Sequence, residues 1–198
     1  MTVSKTGPLT AKGDKSAIVV TVCHVEWFDL SKTYKISNAP ARTADMEFIG
    51  ADLNFLARVL YAESSGSAGV RDRAERMKEK SAILNVKHFR LNRVGYPNRH
   101  AAESFTAVCQ AKGQFESVYN GTPKFTGSAP ESFEALSKAE CSDLEEAVDA
   151  IREFLNAGPN KDYLFDNFRG GSGSRGQTIG KSRFWLSPEG KELYEKHE

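Results

Sequence analysis

Glu63 closes the stretch Asp52–Glu63, DLNFLARVLYAE, and its setting points to chemistry more clearly than any other in the chain. Leu53, Leu56, Ala57 and Leu60 recur at helical spacing, so the stretch reads as a short amphipathic helix with Asp52 as its N-cap. Glu63 lies three residues beyond Leu60 and continues the same apolar stripe. The run Ser64-Ser65-Gly66-Ser67 then leaves the helix for a polar loop. A carboxylate on the inward face at such an opening is partly desolvated, which is the setting of a general acid. The competing reading is a solvated carboxylate at a helix end.

The other chemistry-bearing residues form no constellation. Cys23, Cys109 and Cys141 are far apart, contain no CxxC, and have no Cys/His spacing that suits zinc. Each reads as a small apolar residue, with one disulfide open to the chain in an oxidising compartment. His24, His88, His100 and His197 show neither HExxH nor a triad-like grouping. Gly180-Lys181-Ser182 lacks the upstream glycine of a phosphate loop. No metal or cofactor is expected. Charged residues make up 27% of the chain, yet the net charge is +1, which gives no bulk electrostatic case for nucleic acid. No apolar run reaches membrane-spanning length.

The elements that must position Glu63 are mostly helical. With 198 residues the chain is long enough for one globular domain with a proper core. Residues 1–43 read as an N-terminal arm and β segment, with a strand over 17–30, rich in β-branched and aromatic types, and a short second one at Tyr34-Lys35-Ile36. Residues 44–198 read as the main domain. After the first helix, 70–89 gives a long helix with Ala74, Met77, Ala82, Ile83 and Val86 inward and the charges from Arg71 to Lys80 on solvated faces. A turn at 95–98 and a short helix over 101–110 follow. Ser128–Glu131 and Ser142–Glu145 both fit the capping box, the second opening a helix that stops at Gly158-Pro159. The glycine-rich run 169–176 lies between two aromatic stretches and reads as a mobile loop on the rim of a cleft. A short charged helix ends the chain.

Four motifs then combine in order: Leu56-Ala-Arg-Val-Leu-Tyr-Ala-Glu63, Ala82-Ile-Leu-Asn85, Phe105-Thr-Ala-Val-Cys-Gln110 with Gly113-Gln-Phe115, and Ile179-Gly-Lys-Ser-Arg-Phe184. With them the chain resembles the cell-wall hydrolase family of SleB and CwlJ type over roughly Leu53 to Leu186. The resemblance implies a mainly α (α+β), lysozyme-like domain that cleaves peptidoglycan glycan strands between N-acetylmuramic acid and N-acetylglucosamine. It matches Glu63 to the catalytic glutamate. It places Tyr61, Gln114, Phe115, Phe165 and Asn167 on the substrate groove, with Ile179 to Phe184, including Ser182 and Phe184, as the opposite wall. The chain departs from the family at Ser182, at Asn167-Phe168 in place of an Asn-Pro step, and in the heavy charge of the second helix.

A hydrolase needs a second carboxylate at a defined separation. Asp72, Glu75, Glu116 and Asp166 are candidates without a compelling sequence setting. A lytic transglycosylase needs one residue alone, and the sequence leans that way. The alternatives are an N-acetylmuramoyl amidase and a non-catalytic wall- or partner-binding module. The N-terminus lacks the ordered sections of a secretory signal, so synthesis in the cytoplasm is expected, followed by action in the periplasm or cell wall. Delivery by a phage lysis system or a secretion machine would make the chain an antibacterial lysin or effector. The expected partners are peptidoglycan and, on the second route, a secretion component and an immunity protein.

Overall fold

A computed structural model describes residues 23–39, 45–91, 103–119, 136–171 and 173–197. The architecture is mainly helical α+β. In chain order it comprises β1 (Thr33–Tyr34), β2 (Phe48–Ile49), α1 (Gly50–Glu63), α2 (Arg73–Arg90), α3 (Phe105–Gln110), α4 (Glu116–Tyr119), α5 (Lys138–Ala157), β3 (Asn167–Gly170), β4 (Gln177–Ile179), β5 (Ser182–Trp185) and α6 (Pro188–His197). Helices α1, α2 and α5 pack against one another, α3 and α4 lie on α1, and the sheet in the order β3-β5-β4 leans on α2.

The apolar stripes act as their spacing predicts. Leu53, Leu56, Ala57 and Leu60 of α1 are fully buried, as are Leu144, Ala147 and Ile151 of α5, with Val148, Phe154 and Leu155 beside them. Each such leucine contributes roughly 2 kcal/mol by leaving water. Helix α5 ends at Gly158, whose φ of 77° is the left-handed stop that glycine supplies.

Several boundaries differ from the sequence reading. Helix α1 begins at Gly50, and Asp52 does not cap it. The Asp52 carboxylate instead accepts the N–H groups of Phe105 at 3.2 Å and Thr106 at 2.7 Å, so it caps the distant α3. The α5 capping box is Ser137 with Glu140, one turn before the expected Ser142, because two S-x-x-E runs stand close together and the earlier one wins. Residues 23–30 form no strand. There the Asn54 side chain takes the place of a neighbouring strand, accepting from the Phe28 N–H at 3.0 Å and donating to its carbonyl at 2.9 Å. The second short strand is Thr33–Tyr34, paired with Phe48–Ile49. Phe28 and Ile36 join the same core as the helices, and Cys23 is disulfide-bonded to Cys141 of α5. The turn at 95–98, the box at Ser128–Glu131 and most of the N-terminal arm lie outside the described residues.

The largest correction concerns the charges of α2. Arg76, Glu79 and Lys80 are buried and not on a solvated face. Arg76 holds Glu146 of α5 through two bonds, Nε to Oε2 at 2.8 Å and Nη2 to Oε1 at 2.5 Å. Its Nη1 donates to the carbonyls of Val70 and Arg71. Charges that look solvated along one helix are thus paired by acids some 70 residues away.

Candidate active site

Glu63 is the last residue of α1, half-buried, at the point where the helix opens into the Ser64–Asp72 loop. That loop is pinned from two sides. The Ser65 N–H donates to Glu79 Oε2 at 2.9 Å, and Lys80 Nζ donates to the Ser65 carbonyl at 3.2 Å. The Ser67 N–H donates to both Asp143 oxygens, at 2.8 and 2.9 Å. Gly66 lies so close that a Cβ there would stand 2.5 Å from Asp143 Oδ2. Glu63 therefore sits on a fixed helix end and a braced loop.

Its carboxylate faces α4. The Ser117 N–H donates to Glu63 Oε1 at 2.8 Å. Four-residue α4 has no partner of its own for that N–H, so the carboxylate satisfies it and is oriented in return. Glu63 lines a cleft of about 250 Å³ with Arg90, Gly113, Gln114, Glu116, Phe168, Arg169 and Gly170.

The expected site residues divide into two groups. Gln114 reaches the cleft, where its Oε1 accepts from Arg90 Nη1 at 2.8 Å. Phe115, Ser182 and Phe184 are buried and do not line the cleft. Phe168 lines the cleft and stacks on Phe184 with ring centroids 5.7 Å apart, so the buried wall positions the exposed one. Phe165 packs on Phe184 at 5.4 Å and on Tyr163 at 5.9 Å, outside the cleft lining. Asn167 opens β3 opposite Trp185. Tyr61 turns towards α5, where burial first, and then the acids Glu140 and Asp143, push its phenol up to about 12.

Of the four candidate second carboxylates, Glu116 alone lines the cleft. Asp72 caps α2 by accepting the Ala74 N–H at 2.9 Å, and Glu75 pairs with Lys78. Asp166 is fully buried and accepts the Ser187 N–H at 2.8 Å.

Arg90 and Phe168 were not read from the sequence as cleft residues, whereas Arg169 and Gly170 open the glycine-rich run expected on a cleft rim and do line it. Lys87 and Arg90 stand one helical turn apart on α2, a basic pair among apolar neighbours, and that spacing was the available signal. Arg90 Nη2 donates to the Asp166 carbonyl at 2.9 Å, and burial pushes its guanidinium down to about 10. Among the described residues no group of three or more His, Cys, Asp or Glu is placed to hold a metal ion, and no helix is long and apolar enough to cross a membrane.

Comparison with known protein families, with curated proteins and with solved structures finds no match to this chain.

Proposed function

We propose that the chain cleaves the glycan strands of peptidoglycan, with Glu63 as a single acid/base. One observation carries the reading: the Glu63 carboxylate, oriented by the Ser117 N–H, lines a cleft that also holds polar Gln114 and aromatic Phe168. Such a mixture suits a sugar, whose ring faces stack on aromatics while its hydroxyls take amide bonds.

In the favoured route Glu63 gives its proton to the glycosidic oxygen as the bond from C1 of N-acetylmuramic acid to that oxygen breaks. The carboxylate then takes the proton of the muramyl 6-hydroxyl, whose oxygen closes on C1 as a 1,6-anhydro ring. Glu63 ends protonated, as it began, and no water is consumed. A second reading, hydrolysis, is favoured by Glu116 in the same cleft, since a second carboxylate could act as base or nucleophile.

The Cys23–Cys141 disulfide supports action in an oxidising space such as the periplasm, after delivery by lysis or by a secretion machine. An immunity protein in the producer would then cover the cleft at Glu63.

Mass spectrometry of purified peptidoglycan digested by wild type, Glu63→Gln and Glu116→Gln tests the reading. Anhydro-muropeptides from wild type and Glu116→Gln, and a loss of at least about 100-fold in Glu63→Gln, are the expected result. Reducing-end products that vanish in both variants would establish the hydrolase. Free stem peptides would mean an amidase, and no products a binding module.

A further inference from the structure

The outer face of the three-stranded sheet is basic. Its antiparallel register sets Asn167 beside Trp185 and Arg169 beside Arg183, with Thr178 on the other flank of Arg183. Residues directly opposite one another share a face, so these five stand on one side of the sheet. Phe184, Ser182 and Ile179 alternate with them and are buried on the other. Arg175, in the glycine-rich connection, lays its guanidinium over the Trp185 ring, 5.0 Å from the centroid. Arg169 and Arg175 are exposed, while Arg183 and Trp185 are half-buried. Among the described residues no carboxylate forms an ion pair with Arg169, Arg175 or Arg183.

Like charges directly opposite each other in a sheet are destabilising. Arg169 and Arg183 stand in that relation, and the glycine-rich connection keeps them there. Arg183 Nε donates to the Gly171 carbonyl at 3.1 Å, and a Cβ on Gly173 would collide with the Arg183 guanidinium. The backbone is fitted around the fork and holds it beside Arg169. Two arginines held together without an acid between them suit an anion from outside the chain.

This face begins at the cleft. Arg169 lines the cleft with Glu63, and Arg183 follows on β5, one strand spacing or roughly 5 Å away. On the proposed reading a glycan strand occupies that cleft, and its muramic acid units carry stem peptides with free carboxylates. Three extended peptide residues reach roughly 10 Å, enough to cross from β3 over β5.

We propose that Arg169, Arg183 and the Arg175–Trp185 stack bind the carboxylates of the stem peptide, so that the substrate is peptide-bearing peptidoglycan and not bare glycan. The proposal rests on the glycan-cleaving reading of Glu63, but the binding it requires is measurable without turnover.

Sedimentation with purified sacculi is the first arm, with Glu63→Gln as the parent protein so that no strand is cut. Adding Arg175→Gln and Arg183→Gln weakens binding about tenfold, and the loss shrinks at high salt. Arg175→Lys with Arg183→Lys keeps part of the affinity. On sacculi whose stem-peptide carboxylates have been converted to amides, the parent and the double Gln variant bind alike. Equal binding on native sacculi overturns the proposal, as does an equal loss on native and amidated sacculi. In the second arm, with Glu63 intact, the two Gln substitutions raise KM on native strands about tenfold with kcat within about twofold. On amidated strands they leave KM unchanged. A wild type that cuts native and amidated strands equally well overturns the stem-peptide proposal and leaves the Glu63 reading standing. If wild type releases no glycan fragments, the glycosidase reading fails, while sedimentation still decides whether the arginines take the carboxylates.

Discussion

The backbone N–H of Ser117 reaches the Glu63 carboxylate across 54 residues of sequence, at 2.8 Å. The donor is a backbone group, so the identity of residue 117 gives no sign of the contact. The Ser117 hydroxyl, by contrast, is buried without a partner.

Removing the N–H therefore has a different effect from removing the hydroxyl. Ser117→Pro keeps the first turn of α4 accessible to the chain, since proline is tolerated there, and on the proposed reading lowers the lytic rate about tenfold by freeing Glu63. Ser117→Ala leaves the rate near that of wild type. Turbidity loss of purified sacculi, with melting curves for both variants, checks the pair.

Asp52 holds α3 from a different helix. Asp52→Ala strands the Phe105 and Thr106 N–H groups and destabilises the fold by about 1–2 kcal/mol. Asp52→Asn retains one acceptor oxygen and loses less. Urea unfolding of the three proteins measures the difference.

Tyr61 makes the fold sensitive to alkali. Its phenol ionises near 10 when unfolded and at about 12 when folded. The unfolded chain loses that proton first, so the Tyr61 contribution is complete below pH 10 and drains away as pH rises towards 12. The stability of wild type accordingly falls more steeply than that of Tyr61→Phe across this window. Parallel slopes in denaturant titrations would contradict the assignment.

The Cys23–Cys141 bond spans a separation of 118 residues and joins the N-terminal segment to α5. Its loss in Cys23→Ser lowers stability by about 2–4 kcal/mol, chiefly by freeing the unfolded chain. Neither cysteine lines the cleft, so on the proposed reading cleavage rates at low temperature persist. Melting curves with and without reductant, compared with the variant, test both halves of the statement.

The helical frame was legible because α1 and α5 carry unbroken apolar stripes: Leu53 to Leu60 and Leu144 to Leu155 bury as their spacing requires. Glu63 was legible for a related reason, standing where a patterned helix gives way to a loop, while Gln114 was placed on the groove by the family resemblance alone. The α2 charges were not. Arg76 and Lys80 look like a solvated face until Glu146 and Asp143, far along the chain, are brought over them. The expected strand after Cys23 failed because β propensity measures fit to a sheet, and here a single Asn54 amide supplies the hydrogen bonds a neighbouring strand would have given. Arg169 and Gly170 stand on the cleft as expected, but not in a loop: both belong to β3 and gain their position from β5.

The bracing of the Ser64–Asp72 loop carries a consequence for how the protein comes into being. Ser67 is held by Asp143, 76 residues further on, and the donor to Glu63 comes from α4 in between. A ribosome that has just released Glu63 has made none of its setting, and the setting is incomplete until α5 and then β3, which brings Phe168, Arg169 and Gly170 to the cleft, have emerged. Any fragment that stops short of α5 lacks the Asp143 brace on the loop that follows the glutamate. On the proposed reading, the cell that makes this enzyme is shielded from copies that stop before β3 by the order in which the chain is written.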